Sequence, residues 1–580
     1  MKKITYCLFL LILATSCSTK SFQQDLPVTD QIRLNQIGFY PNQAKKAIIL
    51  EGKEAQTFYV VDKKNKIVFT GNLISSGAKT LSGKDSYIAD FSDLTKTGSF
   101  ILAIPGVGKS VSFLVEKEVH STLGLAAMKA FYFQRVSTAL PTEYAGIWAR
   151  AAGHPDDQVQ IHPSAAGTGR PTGTVVAAPK GWYDAGDYNK YIVNSGITMG
   201  TLFALYEDFP KYTTNLKLNI PASTQQLPDY LEEILWNLEW MFAMQDPQDG
   251  GVYHKLTTAR FEGMVMPEHA INQRYLVAKS TAAALDFAAV MAQANRVYRD
   301  YLPDLSAQCL MAAEQAWTWA VANPQVLYEQ NEMNKVHEPD IVTGAYGDRD
   351  LKDEWVWAAS ELYISTQNDQ YLAKISGPEP EFRLPSWANV RWLGYYSLLR
   401  HQQSLPKFPN EMLESITEQM IQTADGYVKS GATSAYRTVM GQNQRDFIWG
   451  SNSVAANQGI LLIQAYLLTK NNSYLQGALD NMDYLLGRNA TGYAYVTGFG
   501  SKSPINPHHR PSEAEPDKAP VPGFLVGGPN PGQQDGCTYA SKIPDESYTD
   551  QTCSYASNEV AINWNAPLVY LINAFEAIMH

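Results

Sequence analysis

Cysteine is scarce in this chain, with five in 580 residues, at positions 7, 17, 309, 537 and 553. So few exclude a disulfide-built scaffold and a four-cysteine zinc cage distributed through the body. Cys309 lies in an apolar helical segment and reads as a small buried core residue. Cys537 and Cys553 bracket a loop near the C-terminus and could pair in an oxidising compartment. Charge is also sparse: 18% of residues are charged and the net charge is −11. Beyond the extreme N-terminus there is no cluster of Lys and Arg. That excludes nucleic acid and anionic lipid as partners, because both are recognised through grouped cations. Long apolar runs are missing after residue 14, so no later segment is suited to crossing a bilayer.

The one early apolar run, Cys7 to Ala14, follows Met-Lys-Lys and is too short to be a stable spanning helix. It ends in Ala14-Thr-Ser-Cys17-Ser, which resembles the bacterial lipobox. The resemblance implies a signal peptide over residues 1–16, cleavage before Cys17 and acylation of its thiol. Residues 17–30 would then be a lipid-anchored tether, with the membrane reached through the lipid only. The expected product is a membrane-anchored lipoprotein, periplasmic or at the cell surface. The lack of an acidic run after Cys17 favours the periplasm.

What is abundant is aromatic surface: 33 tyrosines and 12 tryptophans. That fits an aromatic-lined cleft, although large helical folds use many as well. Residues 31–117 carry short β-rich runs at Ala47–Leu50, Thr57–Asp62, Ile67–Thr70, Tyr87–Phe91, Ser99–Ile104 and Val111–Val115. Gly, Lys, Asp and Ser clusters separate them, which predicts a small antiparallel β-sandwich. From about residue 120 the apolar period becomes helical. Leu231, Ile234, Leu235, Leu238, Met241 and Phe242 share one face. Similar patterns cover 280–297, 306–322, 353–366, 390–401, 410–430, 455–469, 473–486 and 558–579. Several are apolar nearly all round, so they need cover on more than one side. Residues 118–580 therefore predict an all-α domain of the α/α-barrel type. The stretch 487–557 is rich in Gly, Pro and Asn, and long loops of that kind carry function.

Three segments hold candidate chemistry. Gly181-Trp-Tyr-Asp184-Ala-Gly-Asp187-Tyr-Asn-Lys-Tyr191 places two carboxylates among aromatics. A sugar suits both, offering polar hydroxyl edges and apolar ring faces. The plainer reading is a turn cap or a calcium ligand. Near the C-terminus, Tyr548-x-Asp550 and Tyr555 precede Asn558-Glu559-Val-Ala-Ile-Asn-Trp564. This places Glu559 at the start of a helix, where a carboxylate is also a common dipole partner. Between them, Asn506-Pro-His508-His509-Arg510-Pro lacks the spacing of a metal site and offers donors to sugar hydroxyls or to the nearby acids.

These segments are similar to glycoside hydrolase family 9, the inverting cellulase family. Asp249-Gly-Gly-Val-Tyr253-His254-Lys255, Trp449-Gly-Ser-Asn452 and Asp353-Glu354-Trp-Val-Trp-Ala-Ala also resemble it, in family order across residues 120–580. Asn35-Gln-Ile-Gly-Phe-Tyr-Pro-Asn42 looks like the immunoglobulin-like domain that precedes many of its catalytic modules. The resemblance implies an (α/α)6 barrel with Glu559 as general acid, Asp187 as general base and Asp184 helping to hold the attacking water. Inversion needs an acid and a base-activated water on opposite sides of the bond. Glu559 should then have a raised pKa, while Asp184 and Asp187 are expected to stay ionised. His508, Arg510 and Asp550 resemble substrate-contacting residues, with Arg510 and Asp550 also candidates for an ion pair. Tyr253, His254, Trp449 and Tyr555 are candidates for sugar hydrogen bonding and stacking. Trp449 is the preferred platform, against the reading of an ordinary core tryptophan, and Trp387 and Tyr346 are weaker candidates.

No cofactor is expected in the chemistry. Zinc is not expected, because His154 and His162 have no cysteine beside them. Some members bind calcium at a pair that looks like Asp353-Glu354, but the position of a further ligand is occupied here by Ala388 or Asn389. The expected substrates are β-1,4-glucans: xyloglucan, mixed-linkage β-glucan or soluble cellulose chains, cleaved internally by a monomer. An exo-acting cellodextrinase or β-glucosaminidase of the same family is the alternative enzyme. A non-catalytic glycan-binding lipoprotein is the alternative outside enzymes, and it would have no need of paired acids.

Overall fold

A computed structural model describes residues 21–224 and 226–580. The expected signal peptide and Cys17 lie outside the described residues.

Between Ile32 and Val115 two sheets share one core. One has the order Ile32–Arg33, Lys46–Leu50, Asp85–Asp90, Ile74–Lys79. The other has the order Gly38–Phe39, Phe113–Val115, Gly98–Ile104, Thr57–Asp62, Ile67–Asn72, with Gly108–Lys109 also pairing on Gly98–Ile104. Ile49 and Ala89 from the first sheet pack with Phe58, Val60, Leu102 and Phe113 from the second. Thr57–Asp62 alternates half-buried and buried residues through Val60, which joins the core, and a register shift beyond it leaves Val68 as the extra residue of the neighbouring strand. The strand Ile74–Lys79 has no counterpart among the predicted runs. Its sequence, Ile-Ser-Ser-Gly-Ala-Lys, is mostly exposed at a sheet edge and has no apolar alternation to read.

The sandwich is bonded to the helical body. Asn35 Nδ2 donates to Asp483 Oδ1 (2.8 Å), and Tyr40 OH donates to Glu576 Oε1 (2.7 Å). Helices then form two layers. Ile192–Asp208, Thr281–Tyr298, Lys352–Thr366, Arg391–His401, Ser451–Thr469 and Ile562–Met579 are buried around most of their circumference and pack on one another. Ser121–Phe133, Asp229–Ala243, Pro303–Ala322, Asn410–Gly431 and Asn472–Leu485 cover them. Sequence explains the layering. Thr281–Tyr298 carries alanine on every side and admits close neighbours all round. Asn410–Gly431 fully buries only Ile416, Met420, Ala424 and Gly431, flanks them with half-buried Met412, Leu413, Ile421 and Val428, and turns its polar residues outward. This is the (α/α)6 arrangement.

Two features depart from the sequence reading. A five-stranded sheet, ordered Val175–Val176, Val159–Ile161, Arg274–Lys279, Tyr253–Thr258, Lys190–Tyr191, sits beside the barrel end. In addition, the last helix begins at Ile562, not at Asn558. Residues 558–561 are extended because their backbone bonds other loops: His508 N–H donates to Asn558 O (2.9 Å) and Gly527 N–H to Glu559 O (2.9 Å). Glu559 therefore precedes the helix and is not its dipole partner. Cys537 and Cys553 form a disulfide, and Cys309 is a buried free thiol.

Candidate active site

The Asp184–Asp187 turn is built into the barrel floor. The short strand Lys190–Tyr191 runs straight from it into the inner helix Ile192–Asp208, so the turn is fixed at both ends. Asp184 accepts at Oδ2 from Asn194 Nδ2 (3.0 Å) and Tyr346 OH (3.2 Å). Asp187 accepts at Oδ2 from Asn189 Nδ2 (2.6 Å) and Tyr191 OH (3.3 Å). Each acid is buried, and among the described residues the Oδ1 of each has no hydrogen-bond partner. Each thus has one oxygen clamped and one available as an acceptor. Asn194 lies one turn into the helix, and Tyr346 more than 150 residues downstream, at a left-handed φ of 49°.

Three distant segments are stitched together by backbone. Ala185 bridges Ala561, His508 bridges Glu559, and Ile562 N–H donates to Asp184 O (2.8 Å). Arg510 N–H donates to Gly186 O (3.1 Å). Gly186 is required at this crossing, since a Cβ there would stand 2.1 Å from His508 O. The late glutamate is thereby delivered to the early aspartates.

Electrostatics separate the three acids. Burial first, then the charges of Asp187 and Asp184, push the Glu559 pKa well above the usual carboxylate range, with Arg510 pulling it back. Asp184 is also pushed well up, by burial and then by Asp187, against the donors Asn194 and Tyr346. Burial and the neighbouring Asp187 thus work against the ionised form that the sequence reading expects of Asp184. Two carboxylates this close and this dry resist carrying two charges.

At the rim, Trp449 is 43% exposed and lies 5.5 Å from Tyr555, centroid to centroid, in a tilted pair. Tyr555 OH donates to Gln534 O (2.9 Å), and the His508 ring meets Tyr555 edge-on at 5.9 Å. His508 is half-buried and its Nδ1 bonds Thr552 O (2.6 Å). Arg510 donates from Nη1 to Gly186 O (2.8 Å) and from Nε to Glu262 O (3.0 Å). It makes no ion pair with Asp550. The Asp550 carboxylate accepts instead from Ile505 N–H (2.9 Å), Asn506 N–H (2.9 Å) and Asn558 Nδ2 (3.1 Å), tying the loop before His508 to the residue before Glu559.

Two sugar-contact candidates are placed inside the wall. His254 is fully buried, stacked on Tyr328 at 4.0 Å, with its ring nitrogens on Ser280 Oγ (2.9 Å) and Ala345 O (3.0 Å). Burial pushes its pKa down to about 3. Tyr253 is likewise buried and donates to Asp246 Oδ2 (3.0 Å). Neither offers a free polar edge to a sugar. Trp387 packs edge-on against Tyr346 at 5.3 Å, which brings the two weaker candidates next to Asp184. Asn189, Asn194 and Tyr191, the donors to the aspartates, were not singled out by sequence. Their signal was position alone, within ten residues of Asp184.

Asp353 and Glu354 begin an inner helix, and Asp353 Oδ2 accepts from Val390 N–H (2.7 Å). Among the described residues no group of three or more His, Cys, Asp or Glu converges as a metal cage. Burial raises Asp353 to about 6 and pushes Glu354 and Asp286 well above the usual carboxylate range.

An acid of raised pKa facing a pair of clamped carboxylates, under an aromatic rim at the end of a double-layered helical barrel, defines a glycoside hydrolase of the cellulase type. Residues 121–572 match the model of glycosyl hydrolase family 9, and residues 28–109 match the cellulase N-terminal ig-like domain. The chain belongs to glycosyl hydrolase family 9. It is 47% identical over 555 residues to the xyloglucan-specific endo-beta-1,4-glucanase BoGH9A of Bacteroides ovatus, covering 95% of this chain and 94% of that protein. It is 34% identical over 571 residues to endoglucanase D of Acetivibrio thermocellus, covering 97% and 86%. The solved structure of a Bacteroides ovatus family 9 protein superposes with a TM-score of 0.90 at 46% identity, covering 95% of this chain and 100% of that one.

Proposed function

We propose that this protein is an inverting endo-β-1,4-glucanase acting on xyloglucan. The observation that carries the chemistry is the delivery of Glu559, held at raised pKa, to the Asp184–Asp187 turn. In the proposed reaction Glu559 gives its proton to the glycosidic oxygen as the bond to the anomeric carbon breaks. A water attacks that carbon from the opposite face and loses its proton to Asp187. Asp184 holds the water through its unclamped oxygen, and the low dielectric strengthens each of these contacts. No step needs a metal or organic cofactor. Trp449 and Tyr555 supply a stacking face for the glucan chain. The xyloglucan preference is supported by the name of the Bacteroides ovatus relative.

Digestion of xyloglucan, mixed-linkage β-glucan and cellohexaose tests this reading. Oligosaccharides of several lengths, released fastest from xyloglucan, are expected. Monosaccharide release from one end would replace it with an exo enzyme, and no reducing-end release with a binding protein. A structural calcium ion at Asp353 and Glu354 is supported by oxygen-only chemistry and by Glu354 Oε2 and both Asp286 oxygens, which lack protein partners among the described residues. A melting temperature unchanged by chelation and by added calcium would dismiss it. Anchoring through an acylated Cys17 rests on the lipobox pattern, and Cys17→Ser should move the protein from the membrane fraction to the soluble one. The proposed working form is a monomer, which sedimentation would check.

A further inference from the structure

Lys255 closes the motif Asp249-Gly-Gly-Val-Tyr-His-Lys255, whose tyrosine and histidine face no sugar. It stands directly across from Tyr191 where the strand Tyr253–Thr258 pairs with Lys190–Tyr191. The side chain is fully buried. Its Nζ donates to Gln330 Oε1 (2.6 Å), Thr343 Oγ1 (3.1 Å) and Gly344 O (2.7 Å). The Gln330 amide is oriented by Nε2 donating to Thr343 O (2.8 Å) and by Tyr328 OH donating to Oε1 (2.9 Å). Three acceptors match the three protons of an ammonium group, whereas a neutral amine would leave one acceptor unserved. Burial pushes the Lys255 pKa well below the usual lysine range, with the charge of Asp187 opposing that shift, so the case for an ammonium rests on the three acceptors around Nζ. Among the described residues no carboxylate contacts this cation. A buried charge without a contacting counter-ion is costly, so a compensating role is expected.

Two routes lead from this cation to Asp187. In the first, Thr343 Oγ1 lies 2.7 Å from Thr257 Oγ1, and Thr257 Oγ1 lies 2.9 Å from Asn189 Oδ1. Asn189 Oδ1 also accepts from Thr258 N–H (3.1 Å), which fixes the amide so that Nδ2 donates to Asp187 Oδ2 (2.6 Å). With an ammonium at one end and a carboxylate at the other, each hydroxyl proton in the chain points toward Asp187. Thr258 O, 2.8 Å from Thr257 Oγ1, is the competing acceptor. In the second route Lys255 Nζ lies 5.5 Å from the Tyr191 ring centroid, and Tyr191 OH donates to Asp187 Oδ2 (3.3 Å). A cation at the ring face makes the phenol a stronger donor.

We propose that Lys255 is a positioning residue for the reaction: a buried ammonium that keeps Asp187 aimed, through Thr343, Thr257 and Asn189 and through the Tyr191 ring. The proposal rests on Asp187 being the base. The titratable groups that face Asp187 are Asp184, Glu559, Tyr191, Tyr346, His508 and Lys255. Those that face Lys255 are Asp187, the Tyr191 and Tyr328 rings, His254 and His162. Arg510, the other cation nearby, acts on Glu559 and His508.

The test is the pH profile of kcat/KM on xyloglucan for Lys255→Met, Thr257→Val and Asp187→Asn, each with a thermal melt. Asp187→Asn is expected to lose roughly 10³-fold. Lys255→Met is expected to lower kcat/KM most on the acidic limb, by about tenfold at its foot. The change at the plateau is expected to be smaller. Thr257→Val leaves the cation and cuts the chain, and should move the limb the same way by less. If Asp187→Asn is inactive while both other variants melt normally and keep the wild-type limb, the proposal is overturned and the base assignment stands. Should Lys255→Met fail to fold, the position of the Thr257→Val limb decides alone. If Asp187→Asn keeps its rate, the base assignment falls and this proposal falls with it.

Discussion

The floor and the rim of this site are made in opposite ways. At the floor, Asp184 and Asp187 are buried and held by side chains from an inner helix, a strand and the loop at Tyr346. At the rim, Trp449, Tyr555 and His508 are partly exposed and held by loop backbone: Gln534 O takes the tyrosine and Thr552 O takes the histidine. A disulfide closes the rim loop between residues 537 and 553, and at its base Asp535 Oδ2 accepts from Tyr539 OH (2.6 Å), Ser554 Oγ (2.8 Å) and Ala556 N–H (3.0 Å). The floor gains precision from packing, and the rim gains it from local hydrogen bonds and a covalent bridge. Chemistry belongs on the first and the choice of glycan on the second.

The comparison breaks most sharply at Glu559, which the floor places and the rim loop carries. Glu559→Gln keeps the shape and removes the proton, so kcat should fall roughly 10³-fold with glycan binding little changed. A near-wild-type rate on natural glycan would refute the acid assignment. Because the acid must be protonated and its pKa is raised, the wild-type rate should fall as pH rises through that value, and the basic limb should be lost in Glu559→Gln.

Next in size is the bridge. Cys537→Ser with Cys553→Ser opens a loop of sequence separation 16, a change of about 3 kcal/mol in the chain-entropy account. The melting temperature should drop, and KM should rise more than kcat falls. Equal losses in both would mean that the floor depends on the rim. Trp449→Ala is smaller. Loss of aromatic contact worth about 1 kcal/mol should raise KM roughly fivefold at unchanged kcat. A fall in kcat alone would place this tryptophan in the chemistry.

A pH-dependent effect, outside this order of size, tests the disulfide-closed loop itself. Burial, with Glu546 beside it, raises Asp545 from 3.8 to about 7. A carboxyl whose folded pKa is raised favours the fold while protonated, so that contribution is complete below about pH 4 and lost as pH climbs through about 7. Asp545→Asn should therefore melt higher than wild type at pH 8 and alike at pH 3.5. Equal melting at both values would remove Asp545 from the account.

Much of this was legible in the order of residues. The sandwich strands with apolar alternation and the helices with a clear stripe stand where their periods place them. Asp184 and Asp187 stand out because carboxylates set among aromatics suit neither a core nor an open surface, whereas Glu559 by itself reads as a helix-start residue and is singled out by the family resemblance. Other features depend on tertiary contacts. Glu559 lies in an extended segment because three loops take its backbone bonds, and no local pattern encodes that. His254 reads as a sugar ligand by type, yet the Tyr328 ring, Ser280 and Ala345 enclose it. Tyr346 reaches Asp184 from a loop with no helical or strand period. The short strands beside the barrel are two to six residues long and pair across large separations, so their partners are invisible locally.

The most direct check is the configuration of the first product. Proton NMR of xyloglucan or cellohexaose hydrolysis, recorded before mutarotation, should show the α-anomer. A β-anomer appearing first would mean that Asp187 does not activate a water across the ring from Glu559, and the account would fail.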